Sequence, residues 1–111
     1  ADAAREFFDL DAIFSGLNAS KDETALVVRE RRDGDVVRVA SRGSRKLKKL
    51  FQEQGVMLTL RDRIPIVELD SRILWVPGVA RSEVAPVGSE TRNLLVLEYR
   101  QLGPSQAGAF L

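Results

Sequence analysis

The segment "ALVVRERRDGDVVRVA" (residues 25–40) constrains the chain more than any other. Leu26 and Val28 alternate with Val27 and Arg29, and Val36, Val37 and Val39 resume the β-rich pattern beyond Asp33-Gly34. Asp-Gly between two such runs is a strong short-range hairpin signal, so the spacing predicts a hairpin turning at Asp33-Gly34. An isolated hairpin is marginal in water and needs a partner layer to cover its apolar face.

The next segment supplies a candidate layer. After a loop at Ser41–Gly43, "SRKLKKLFQEQG" (Ser44–Gly55) reads as a helix, with Ser44 as N-cap and Gly55 as the residue beyond the C-terminus. Leu47, Leu50, Phe51 and Gln54 recur at helical spacing and share one face at about 100° per residue. Arg45, Lys48 and Lys49 fall on the opposite face, and Lys46 lies toward one flank. The pattern predicts a helix that buries Leu47, Leu50 and Phe51 and turns its cations outward.

The remaining elements are shorter. Asp9 is a natural N-cap and Gly16 a natural stop for a short helical turn in "FFDLDAIFSGLN", and Asn18–Thr24 reads as a polar connection. A further helical turn is expected over Thr59–Arg63, ending before Ile64-Pro65 because a residue preceding proline disfavours the helical region. "PIVEL" and "RILWVPG" read as strands joined at Asp70-Ser71, with Pro77-Gly78 ending the second. "TRNLLVLEYR" is another strand, with Leu95, Leu97 and Tyr99 on one side. The elements do not alternate as strand-helix-strand repeats. The expectation is α+β: a compact single domain, mostly antiparallel sheet or small β-sandwich, with one main helix. The domain is expected over residues 1–100, with a loosely ordered tail over 101–111. A chain of 111 residues has room for one core. Its start, without Met, is consistent with a domain cut from a longer polypeptide.

Composition excludes several chemistries. The chain has no Cys and no His, so disulfides, thiolate nucleophiles, Cys/His zinc sites and a Ser-His-Asp triad are ruled out. It contains neither Gly-rich phosphate-loop pattern. Gly43-Ser44 at a helix start could hold one phosphate through free N–H groups, although such pairs are usually plain caps. The carboxylate pairs Asp9/Asp11 and Asp33/Asp35 are too close in sequence to flank a substrate and read as turn chemistry. Trp75 reads as core. No catalytic residue and no metal ligand is expected. No apolar run reaches the roughly 20 residues of a membrane span, and the N-terminus lacks a signal-peptide pattern. A cytoplasmic location fits.

Charge distribution says more than net charge. The chain carries 17 Lys and Arg against 16 Asp and Glu, a net charge of +1. Residues 1–28 sum to −4, residues 29–63 to +6, and residues 64–111 to −1. The basic middle holds Arg29, Arg31 and Arg32 at a strand end, Arg42, Arg45, Lys46, Lys48 and Lys49 across loop and helix, and Arg61 and Arg63 beside a proline. Arg29 and Arg31, two apart on a strand, are expected on one face. Spaced cations of this kind bind polyanions by releasing counterions from phosphates. The other reading is that they keep the surface solvated, dock on an acidic protein surface, or pair locally; Arg61 or Arg63 in particular could brace the fold.

Four motifs then occur in order at matching spacing, Arg29-x-Arg31-x-x-Gly34-Asp35, Arg45-Lys46-Leu47-Lys48, Arg61-Asp62-Arg63-x-Pro65 and Trp75-Val76-Pro77-Gly78, flanked by "FFDLDAI" upstream and "TRNLLVLEYR" downstream. Together they resemble the C-terminal domain of bacterial tRNA(Ile)-lysidine synthases over roughly residues 7–100. Val36 departs from the Arg usual after Gly-Asp, and "ASRG" departs from the loop pattern L-G-x-x-G, so one phosphate contact is missing there or is supplied by Arg38 or Arg42. The resemblance implies a sandwich of unusual topology, shared with part of the phenylalanyl-tRNA synthetase β subunit. It implies a parent enzyme that attaches lysine to the anticodon cytidine of an isoleucine tRNA, using ATP and Mg bound to an N-terminal catalytic domain with an S-G-G-x-D-S loop. That loop does not occur here. By the resemblance, this chain is an appended module that contacts the acceptor stem, with the N-terminal domain as its other partner, and needs no cofactor of its own.

The isolated chain is therefore expected to be inert. Incubated with ATP, lysine and isoleucine tRNA, it should give pyrophosphate and lysidine only at the no-protein background.

Overall fold

In the computed structural model, which describes residues 3–15 and 26–101, the two β-rich runs around Asp33-Gly34 do not pair with each other. Strand β2 (Leu26–Arg29) pairs antiparallel with β5 (Ile66–Leu69), while β3 (Val36–Val39) pairs with β4 (Gly43–Lys46). The expected hairpin at Asp33-Gly34 is thus a crossing point between two sheets. A two-residue hairpin of the Asp-Gly kind needs positive φ at both turn residues, and here only Gly34 has it (φ 87°). Six residues separate the two strand ends, too many for that turn.

The true two-residue hairpin lies at Asp70-Ser71, between β5 and β6 (Arg72–Val76). Both residues have positive φ, 51° and 63°, the pattern that matches the right-handed twist of paired strands. With β7 (Ala80–Arg81) they form a four-stranded antiparallel sheet in the order β2-β5-β6-β7. A register shift at Val67/Glu68 pairs Val67 with Trp75 and Glu68 with Ile73. This bulge lets Leu74 and Trp75 join one core cluster while Ile73 and Val76 join another. That is why "ILWV" reads as an unbroken apolar run: the hairpin is covered on both faces.

One cover is the pair β1 (Ala3–Asp9) and β8 (Leu94–Arg100), in register from Ala3↔Arg100 to Asp9↔Leu94. With α1 (Leu10–Ser15) it contributes Phe8 and Ile13 to a cluster with Val67, Leu69, Leu74, Trp75 and Ala85. Trp75 is core, as its strand context implies. Asp9 caps α1 as expected, accepting the Ala12 N–H at 3.0 Å. Strand β1 was not legible: its first half is Ala, Ala, Arg, Glu, and its partner is 85 or more residues away in sequence.

The other cover is the β3-β4 hairpin with α2 (Leu47–Glu53), which joins Val37, Leu47, Leu50 and Phe51 to Ile66, Ile73 and Val76. The buried stripe is the expected one, but the helix starts two residues later than an N-cap at Ser44 implies. Residues 43–46 pair with β3 instead, so Arg45 and Lys46 lie on a strand and Gly43-Ser44 is not at a helix N-terminus. The sheet ladder satisfies more backbone groups here than one extra helical turn capped by Ser44 would. The far end follows expectation: Gly55 has φ 68°, its N–H bonds to Gln52 O at 3.1 Å, and Val56 N–H bonds to Phe51 O at 2.9 Å. This is the Schellman closure. A short α3 (Leu58–Arg61) follows, again stopping before Ile64-Pro65. All five strand pairings are antiparallel, so the α+β expectation holds. The Asn18–Thr24 connection and Gly16 fall outside the described residues, as does the tail from 102 on.

Phe51 is 1% exposed at the centre of the second cluster. Phe51→Ala should destabilise the domain by about 3–5 kcal/mol, much of what a domain of this size has. Chemical denaturation at constant m-value checks it; an unchanged midpoint would mean that α2 packs by another face.

Candidate nucleic-acid interface

The basic middle of the chain is organised by one carboxylate. Strand β2 ends at Arg29, and the chain turns over Arg32–Asp35, with Asp35 N–H bonded to Arg32 O at 3.2 Å. The Asp35 carboxylate accepts both terminal nitrogens of Arg29, at 2.8 and 3.1 Å, and the Arg32 backbone N–H at 2.7 Å. Its backbone carbonyl accepts the N–H of Leu47, the first residue of α2, at 2.9 Å. Arg29 Nε donates to Glu68 on β5 at 2.7 Å. The Arg29 and Asp35 side chains are only 11% and 10% exposed. Burial alone would push the Asp35 carboxyl up; the Arg29 hydrogen bonds and the Arg32 N–H outweigh it and hold the group below the usual carboxylate range. Arg29 is correspondingly held above its ordinary value, chiefly by its hydrogen bond to Asp35.

This anchoring sets the 31–35 turn against the start of α2. Between them lies a cleft of about 440 Å³ lined by Arg31, Arg32, Lys46 and Lys48, with the carboxylates Asp33 and Asp35 and the apolar Leu47 and Phe51 among its other walls. Residues from a loop, a strand end and a helix thus bring four cations together. Among the described residues, Arg32, Lys46 and Lys48 form no ion pair; Arg31 donates Nε to Asp62 at 2.7 Å and is about one-third exposed. On the other flank of α2, Arg42 donates to both Glu53 oxygens at 2.7 and 3.2 Å. That hydrogen bond, with the nearby charges of Arg45 and Lys49, holds the Glu53 carboxyl below its usual value. Arg63 is exposed without an ion pair among the described residues.

The ten sequence candidates therefore divide. Eight lie at the surface around α2 and the turn. Arg29 and Arg61 do not. Arg29 is enclosed by Asp35 and Glu68, and Arg31 lies beyond the strand end, so the two do not share a strand face as expected. Arg61 is 7% exposed; its Nε donates to Val56 O at 3.1 Å and its guanidinium stacks 5.4 Å from the Phe51 ring centre. Of Arg61 and Arg63, Arg61 is the one that braces the fold, and its partners are a carbonyl and a ring rather than a carboxylate. Arg38 and Arg42, the two cations that could stand in for an arginine at position 36, are each paired with a glutamate, Glu83 and Glu53. Arg81 was not singled out by the sequence. It donates to Phe7 O, Ser82 O, Val84 O and Ala85 O and lies 4.2 Å over the Phe8 ring centre, pinning β1 to the 82–85 loop. No group of acidic residues among those described could hold a metal ion, and no described helix is long and apolar enough to cross a membrane.

These features define an α+β domain of antiparallel sheets with a cation-lined cleft beside its second helix. A family model described as the TilS substrate C-terminal domain matches residues 26–97, and the chain belongs to that family. It is 38% identical over 95 residues to the tRNA(Ile)-lysidine synthase of Caldanaerobacter subterraneus subsp. tengcongensis, covering 85% of this chain and 18% of that enzyme. It is 48% identical over 60 residues to the tRNA(Ile)-lysidine synthase of Thermotoga maritima, covering 53% of this chain and 14% of that enzyme. A solved structure titled as a TilS C-terminal domain superposes with a TM-score of 0.66 at 31% identity, over 93% of this chain and 75% of that one. The chain thus spans less than a fifth of the length of these curated relatives.

Because folding lowers the Asp35 pKa, its contribution to stability is complete above the unfolded value near 4 and is lost as pH falls through the folded value. Asp35→Ala leaves Arg29 buried beside Glu68 alone and should cost about 3–5 kcal/mol at neutral pH. The gap between variant and wild type should narrow as the pH falls below the unfolded value near 4 toward the lowered value of the folded carboxylate. Urea midpoints measured from neutral to acid pH test both statements.

Proposed function

We propose that this chain is the non-catalytic tRNA-binding module of a tRNA(Ile)-lysidine synthase, and that the cleft holds backbone phosphates of the acceptor stem. The parent enzyme would ligate lysine to the anticodon cytidine of isoleucine tRNA with ATP in the cytoplasm, on an N-terminal domain outside this chain. The observation that carries the reading is the cleft itself: Arg31, Arg32, Lys46 and Lys48 gathered together, three of them without a carboxylate partner among the described residues. Like charges held close repel, and a bound phosphate relieves the repulsion while releasing counterions. Arg45, Lys49 and Arg63 add exposed charge on neighbouring segments, while Arg42 is paired with Glu53. Arg29 and Arg61 act behind this surface, by fixing the turn and the helix. A-form RNA hides its base edges in a deep, narrow groove, so such a surface reads shape and backbone.

The same cleft could dock on an acidic protein surface, and the binding partner separates the two readings. Arg32, Lys46 and Lys48 form no ion pair among the described residues, and only the charge of Arg32 acts on the buried Asp35, so the triple change to Ala should leave the chain folded with a melting temperature close to that of the wild type. It should weaken binding to an acceptor-stem duplex by a similar factor whatever the base sequence, because phosphate contacts carry no direct sequence information. The slope of log K against log salt should flatten by about two to three units. A folded triple variant with wild-type affinity and slope overturns the reading; salt-sensitive binding to the catalytic domain, with none to RNA, puts the protein-docking reading in its place.

A further inference from the structure

Helix α3 is inside out. It buries its arginine and exposes its leucines: Arg61 is 7% exposed, while Met57, Leu58 and Leu60 are 65%, 70% and 42% exposed. Arginine is ordinarily outside and leucine inside. The inversion has a mechanical origin. The hydrogen bond from Arg61 to Val56 O and its stacking on Phe51 fix the rotation of this short helix, and that rotation turns the apolar side chains to solvent. Burying Leu58 or Leu60 in place of Arg61 would be the cheaper arrangement for the domain alone.

The neighbourhood of the patch identifies its partner. Asp62, directly after α3, holds Arg31 of the cleft, Arg63 follows, and Phe51, on which Arg61 stacks, also lines the cleft. The apolar patch therefore lies on a segment tied to the cationic cleft through the Asp62–Arg31 contact. Three side chains make up the patch, against the roughly 20–30 residues a side of a stable protein interface. They match the face of one or two nucleobases, and methionine adapts to flat, variable surfaces. Bases removed from a helix are held by stacking on aromatic or apolar side chains.

We infer that Met57, Leu58 and Leu60 form a platform for unpaired nucleobases at the end of the RNA whose phosphates the cleft holds. The inference rests on the RNA reading above and adds to it a contact with bases rather than phosphates. It requires RNA that carries unpaired nucleotides next to a duplex.

The test compares three probes: a blunt RNA duplex, the same duplex with a short unpaired 3′ extension, and that duplex with an abasic extension of equal length. The wild-type chain should bind the base-bearing extension several-fold tighter than the abasic one, because seating a base on these aliphatic side chains removes apolar surface from water. Met57→Ser/Leu58→Ser/Leu60→Ser, all exposed positions, should lose this preference and keep wild-type affinity and salt slope for the blunt duplex. Leu58→Ser alone, at the most exposed position, should lose part of it, which guards against a misfolded triple variant. A wild-type chain indifferent to the presence of bases, or a folded triple variant that keeps the preference, overturns the inference. The cleft variant of Arg32, Lys46 and Lys48 should instead weaken all three probes and preserve the ratio between them. If the wild type binds none of the probes, both readings fall; if it binds all three alike, only the platform falls.

Discussion

The bidentate contact between Arg29 and Asp35 is the interaction on which the basic region depends. It is charge-assisted, nearly enclosed, and shared: the same carboxylate closes the turn through the Arg32 N–H, and the same residue's carbonyl receives the first amide of α2. Through Glu68 the arginine also reaches the central hairpin. An edge strand, a turn, a helix and the middle sheet are thus referred to one point. Holding four cations around one cleft opposes Coulomb repulsion; the buried carboxylate in the cleft wall and the Arg31–Asp62 pair lower it, while Arg32, Lys46 and Lys48 keep no ion-pair partner among the described residues.

Arginine serves two purposes in this domain, and its environment decides which. Arg29, Arg61 and Arg81 act as braces whose planar guanidinium gathers carbonyls, carboxylates or a ring from separate elements. Arg32 and Arg63, with the lysines of α2, present charge to solvent. A lysine could not replace the braces, because its single ammonium lacks the planar fork that lets Arg81 reach carbonyls in β1 and in the 82–85 loop together. The division separates the residues that position the surface from those that form it.

Much of this was legible in local pattern, and what was not depended on distant partners. The stripe Leu47, Leu50, Phe51, the closure at Gly55, the turn at Asp70-Ser71 and the cap at Asp9 follow from short-range rules and appear where those rules put them. The failures share a cause. Asp33-Gly34 has hairpin chemistry, yet Arg29 is drawn to Asp35 and Glu68 instead. "GSRK" contains no β-branched residue, yet it is a strand because Val36–Val39 needs a neighbour. Ala3–Asp9 is a strand only because Leu94–Arg100 lies beside it. The basic segment was visible as charge count, but which cations converge and which are buried is a tertiary fact. The exposed leucines of α3 could not be read at all, since periodicity assumes that arginine faces water.

The β5-β6 hairpin faces both hydrophobic clusters, and Val67, Leu69, Leu74 and Trp75 look one way while Ile66, Ile73 and Val76 look the other. Neither cluster can open without stripping one side of the same two strands, so the halves of the domain share one cooperative transition. A ligand that holds α2 in place therefore raises the free energy of opening everywhere, including the β1-β8 ribbon on the opposite face that it never touches. The central hairpin thus turns any local hold on α2 into rigidity of the whole domain.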